Sequence, residues 1–74
     1  MEEIVLNKPY ITLGQILQIS GFASSGAETK YLVKKLPIYV NGLSENRRGR
    51  KLYANDKVDI SGRQLLIKSE NTKN

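Results

Sequence analysis

Seventy-four residues make one domain, residues 1–74, of a size that buries only ~60% of the surface its unfolded chain exposes, so the core has to be small and efficient. The chain has no cysteine and no histidine, which removes disulfide staples, thiolate metal sites, the commonest metal ligand and the usual general base. Net charge is +5, with a sequence pI near 9.7.

Residues 2–6, EEIVL, read as a short strand that Pro9 and Tyr10 end. Thr12 is a good N-cap, and Gln15 three residues on completes a capping-box pattern. Leu13, Ile16, Leu17 and Ile19 follow a helical period, and Gly21 stands where a C′ glycine ends a helix. The first helix is therefore predicted over 12–20. Ser24 or Ser25 caps a second start, with Glu28 three residues after Ser25. Leu32, Val33 and Leu36, with Thr29 or Ala27 a turn earlier, form one apolar stripe, while Lys30 and Lys34 are spaced i, i+4 on another face. Pro37 disfavours helical dihedrals at Leu36, so the second helix is predicted over 25–35. The link between the helices is short, so they pack as a pair.

The pattern then changes period. IYV at 38–40 is β-branched and aromatic, and Asn41-Gly42 after it suits a type I′ hairpin turn, with LSE as the return strand. An arginine-rich segment broken by Gly49 follows. Asn55-Asp56 marks a turn, KVDI at 57–60 alternates like a strand, Ser61-Gly62 turns again, and QLLIK at 64–68 is the last strand. Residues 69–74 read as a polar, frayed tail. The layout is α+β: two packed helices against a small twisted antiparallel sheet of four to five short strands. Apolar residues make up 39%, no run approaches the ~20 needed to span a bilayer, and Met-Glu-Glu does not open a signal peptide, so a cytoplasmic globular domain is expected.

Catalysis has no visible means. Seven carboxylates are scattered, Asp56 reads as a turn residue, and Gly21 and Gly26 lack the Gly-Lys-Ser/Thr ending of a phosphate loop. No enzyme, cofactor or metal is expected. The charge distribution says more. Residues 30–51 hold seven cations (Lys30, Lys34, Lys35, Arg47, Arg48, Arg50, Lys51) against one acid, Glu45, for a net +6, and the rest of the chain nets −1. Arginine forks grip phosphate oxygens in bidentate fashion, and Gly49 lets the backbone turn sharply or approach a ligand. If the hairpin folds back beside the second helix, two basic strips line one groove that can follow a phosphate backbone. Tyr31 beside Lys30 offers a stacking face to an unpaired base, or it packs on the domain rim. For Tyr39 and Tyr53 core or sheet packing is expected. Taken alone, the arginine cluster also reads as a solvated edge that discourages strand-to-strand aggregation.

The run SGAETKYLVKKLPIYVNGLSENRRGRKLYANDKVDI resembles the S4 RNA-binding domain, the module found in a small-subunit ribosomal protein, pseudouridine synthases and a tyrosyl-tRNA synthetase. Ser25, Glu28, Leu32, Val40, Asn41, Gly42 and Asp56 stand at the places of the family pattern, over roughly residues 10–61. The ENRRGRKL stretch looks most like the small stand-alone bacterial members. Many S4 modules carry arginine where this chain has Gly26 and Tyr31, which shifts the load onto residues 47–51, and Thr29 replaces the usual alanine. The resemblance implies a module that binds structured RNA, ribosomal RNA first, across the second helix and the adjoining hairpin, with subunit assembly as the expected setting. On the residues alone, a protein adaptor docking an acidic partner and a DNA-binding module remain open as alternatives.

Overall fold

The computed structural model describes residues 1–70. The elements run β1 (Glu2–Leu6), β2 (Ile11–Thr12), α1 (Leu13–Ile19), α2 (Gly26–Lys35), β3 (Ile38–Val40), β4 (Leu43–Ser44), β5 (Lys51–Leu52), β6 (Lys57–Ile60) and β7 (Arg63–Ser69). One sheet has the order β1-β7-β6-β3-β4, and β2 pairs with β5 in a separate two-strand ribbon.

The turn chemistry sets the register. Asn41 (φ 51°) and Gly42 (φ 85°) both lie in the left-handed region, as a two-residue type I′ loop demands, and Val40 faces Leu43 across it. Ser61 (φ 53°) and Gly62 (φ 89°) repeat the device between β6 and β7, with Ile60 opposite Arg63. Alternation then sends Ile38, Val40, Val58, Ile60, Leu65 and Ile67 to one face, where they are buried against Leu13, Ile16, Leu17 and Val33 of the helices in a single core.

The helix boundaries follow their caps. Thr12 and Gln15 form the reciprocal box: the Gln15 amide donates to Thr12 Oγ1 at 3.2 Å, and the Thr12 amide donates to Gln15 Oε1 at 2.9 Å. Ser25 caps α2 by accepting from the Glu28 amide, but the Glu28 carboxylate reaches one residue further back and accepts from both the amide and the hydroxyl of Ser24. Those two bonds favour the ionised form and lower the Glu28 pKa. Leu36 has left the helix (ψ 146°), as Pro37 requires. Thr29, not Ala27, takes the buried place a turn before Val33, and Ile19 is exposed.

Two expectations need correction, and one pairing was not anticipated. The sheet is antiparallel through β7, β6, β3 and β4, but β1 joins β7 in parallel, with Ile4 beside Ile67. The sequence gives no local cue for this, because β1 and β7 are brought together by the rest of the fold and not by a turn. The β2–β5 ribbon had no periodic signal, being two residues a side. The tail is ordered further than expected: Ser69 belongs to β7 and the Glu70 amide donates to the Leu6 carbonyl at 2.8 Å, while residues 71–74 lie outside the described residues. Among the described residues no helix is long and apolar enough to cross a membrane.

Candidate nucleic-acid interface

The first amides of a helix have no partner inside it. In α1 two of them are taken by the arginine segment: the Leu13 amide donates to the Arg50 carbonyl at 2.9 Å and the Gly14 amide to the Arg48 carbonyl at 2.8 Å. The loop of residues 46–50 is thereby docked on the start of α1. Gly14 permits the approach, since a β-carbon there would begin 3.3 Å from the Arg48 carbonyl oxygen, 3.5 Å from Arg48 Cβ and 3.7 Å from Thr29 Oγ1. Arg48 and α2 therefore meet at Gly14. Thr12, Gly14, Gln15, Gln18, Gly26, Thr29, Arg48 and Gly49 line a cleft of about 380 Å³.

The cations of α2 divide into two sets about this cleft. Gly26, Lys30 and Lys34 follow one another at i, i+4, so Lys30 and Lys34 continue the flank of the helix that borders the cleft. Tyr31 and Lys35 form the next stripe round, away from the buried Thr29–Val33 face. Tyr31 is 61% exposed, with Lys35 Nζ 5.4 Å from its ring centroid.

The four cations at 47–51 are not equivalent. Glu45 is buried, its side chain 6% exposed, and it binds two of them. Arg47 Nε and Nη2 donate to its two carboxylate oxygens at 2.8 and 3.1 Å, the Arg47 amide donates at 3.0 Å, and Arg50 Nη1 donates at 2.7 Å. The Arg47 guanidinium is the main reason its pKa falls to about 2; burial works against the fall, and Arg50 and the Arg47 amide add to it. Arg50 is half-buried by this pairing, whereas the Arg47 side chain stays 70% exposed. Arg48 forms no ion pair among the described residues, and nor do Lys30 and Lys34. Lys51 lies over the ring of Tyr10, 4.9 Å from its centroid.

The structure thus places Arg48 in the cleft and Lys30 and Lys34 further along the α2 flank that begins at Gly26, sets Tyr31 and Lys35 on the next stripe of that helix, and engages Arg47 and Arg50 with Glu45. Tyr39 and Tyr53 are each about half exposed, so neither is a core residue. Gly14, Glu45 and Thr12 escaped the sequence reading as site residues. Glu45 left a signal, the one acid inside a basic run; Gly14 left none, because its role depends on a contact with a residue 34 positions away. A larger concavity of about 660 Å³ lies elsewhere, lined by Tyr39, Asn41, Lys57, Asp59 and Gln64 among others, where Lys57 and Asp59 offset each other's charge. Among the described residues no group of His, Cys, Asp and Glu could hold a metal ion.

Comparison with known proteins gives a consistent result. The family described as the S4 domain matches residues 4–68, which takes in β1 from Ile4 onward and nearly all of β7. The probable ribosome maturation protein RlbA of Bacillus subtilis (strain 168) is 41% identical over 59 residues, covering 80% of this chain and 83% of that protein. The putative RNA-binding protein YbcJ of Escherichia coli (strain K12) is 27% identical over 59 residues, covering 80% of this chain and 84% of the other.

Proposed function

Because this chain belongs to the S4 domain family, we propose that it is a non-catalytic RNA-binding module that docks on structured ribosomal RNA during ribosome maturation. The reading is supported by the names of its relatives, one a probable ribosome maturation protein and one a putative RNA-binding protein. The observation that carries it is the cleft where Arg48 and Gly49 meet the first turn of α2, with Lys30 and Lys34 continuing along the same flank. These three cations have no carboxylate partner among the described residues, so they are available to phosphates without breaking an internal pair. The N-terminal turn of α2 borders the cleft through Gly26 and adds the positive end of the helix dipole. Arg47 binds from its exposed side while Glu45 holds the other, and Lys51 extends the path. Tyr31 and Lys35 contact the RNA from the outer face of α2.

This arrangement recognises backbone shape and not base edges, which suits the wide, shallow groove of an A-form helix. Phosphate contacts by Lys30, Lys34, Arg47, Arg48 and Lys51, with Lys35 on the outer face, give an expected slope of log K against log salt of about −3 to −5. Titration of the protein with folded ribosomal RNA fragments across a salt series measures it, with duplex DNA of equal length as competitor. A flat salt response, or DNA competing as well as RNA, overturns the reading.

A further inference from the structure

Tyr10 and Tyr53 form an aromatic pair at the end of the β2–β5 ribbon, their centroids 5.9 Å apart and their planes tilted by 52°. The register explains the pairing. Thr12 faces Lys51 and Ile11 faces Leu52, so one step further sets Tyr10 opposite Tyr53. Directly opposed residues of an antiparallel pair share a face, and successive pairs alternate. Ile11 and Leu52 are buried in the core, so Thr12, Lys51, Tyr10 and Tyr53 take the outward side. Neither ring belongs to the core: Tyr10 is 36% and Tyr53 49% exposed. Neither hydroxyl has a hydrogen-bond partner among the described residues.

This face is continuous with the basic cleft. Thr12 lines the cleft together with Arg48, Gly49 and Gly26, and it is also the ribbon neighbour of Lys51, whose ammonium lies over Tyr10. A single surface therefore runs from Lys34 and Lys30, past Arg48 and Thr12, to Lys51 and the two rings. Its two ends offer different chemistry. The cations hold any phosphate backbone. The rings offer an apolar π-face, which a base inside a duplex cannot use because its own faces are already stacked.

Resting on the RNA-binding reading above, we propose that the Tyr10–Tyr53 pair is a stacking site for an unpaired nucleotide next to the helical segment held by the cleft, with Lys51 taking the flanking phosphate. The site makes the module select RNA in which a single strand leaves a helix.

The test uses an RNA hairpin with an unpaired overhang and a blunt-ended hairpin of equal phosphate count. Wild type is expected to bind the overhang form roughly 5- to 150-fold more tightly, the range that one stacked base supplies. The Tyr10→Leu/Tyr53→Leu variant loses this preference while its salt slope stays as in wild type, because no phosphate contact has gone. The Tyr10→Phe/Tyr53→Phe variant keeps the preference. Tyr53→Leu alone gives a partial loss, and it spares the Tyr53 amide, which donates to Asp56 Oδ2 at 2.8 Å and fixes the turn. Equal binding of the two hairpins by wild type, or an unchanged preference in the folded double Leu variant, overturns the stacking site and leaves the RNA reading standing. Failure of wild type to bind either hairpin overturns both.

Discussion

The amide of Gly14 donates to the carbonyl of Arg48 at 2.8 Å, and a side chain at position 14 would begin 3.3 Å from that same oxygen. The bond and the missing side chain are one relationship: the arginine loop caps α1 this closely because position 14 leaves room for little more than a hydrogen. Alanine there gains up to ~1 kcal/mol of helix propensity and needs the loop to yield by only a few tenths of an ångström. Valine adds γ-carbons where Arg48 and Thr29 already sit. Gly14→Val is therefore expected to cost about 1–3 kcal/mol, as overpacking does, and to weaken RNA binding by displacing Arg48. Thermal melting and faster hydrogen exchange at the amide of residue 14 check the first part, and titration with RNA the second.

Glu45 makes stability depend on pH. Its folded-state pKa of about 2 lies below the ordinary carboxylate value of 4.5, so its contribution is fully present above about pH 4.5 and fades as acid protonates it on the way to about pH 2. Glu45→Gln keeps the shape and removes the charge. Loss of one partner of a fully buried pair costs ~3–5 kcal/mol, but Arg47 is largely exposed and regains water. A smaller loss of about 1–2 kcal/mol is expected, a fall of roughly 5–15 °C in Tm. Melting curves of wild type and variant should converge as pH drops from 5 towards 2; parallel curves would show that Glu45 is not the titrating group.

The division among the cations gives opposite phenotypes to neighbouring substitutions. Lys30→Ala, Lys34→Ala and Arg48→Ala break no ion pair, so together they should leave Tm within a few degrees while the salt slope becomes shallower by about 2 to 3. Arg50→Ala removes a bond to a buried carboxylate and should lower Tm as well as affinity. Replacing Arg47, Arg48 and Arg50 together is consequently not a clean test of binding, although sequence alone makes it the obvious one. If the Lys30, Lys34 and Arg48 triple variant binds ribosomal RNA fragments as tightly as wild type, the interface lies elsewhere.

What the sequence disclosed is what local chemistry encodes. Thr12, Gln15, Ser25 and Pro37 mark the helices, and Asn41-Gly42 and Ser61-Gly62 mark the hairpins, because each acts through its own dihedrals or through a partner three residues away. The excess of charge at 30–51 was equally plain. Its internal structure was not. Glu45 and Arg47 look like any pair in a charged loop until burial of Glu45 is known. The parallel joining of β1 to β7 and the Tyr10–Tyr53 pair both depend on residues more than 40 positions apart, where no period or cap gives a cue.

Asn41 shows how a turn residue can also fix the position of a distant one. Its left-handed φ of 51° serves the hairpin, while its side chain donates from Nδ2 to Asp56 Oδ1 at 3.0 Å and accepts from the Lys57 amide at 2.9 Å. Asp56 in turn accepts from the Tyr53 amide, so the β3–β4 turn, the start of β6 and the exposed Tyr53 are tied together. Glycine at 41 keeps the dihedral and loses the bridge; alanine loses both. Each lost bond costs about 1 kcal/mol, and a left-handed alanine about 1 kcal/mol more. Asn41→Gly should therefore lower stability by ~1–2 kcal/mol and Asn41→Ala by ~2–3 kcal/mol, read from denaturant midpoints at constant m. Equal losses for the two variants would mean that the dihedral contributes nothing. No loss in Asn41→Gly would mean that the bridge to Asp56 and Lys57 does not hold the turn.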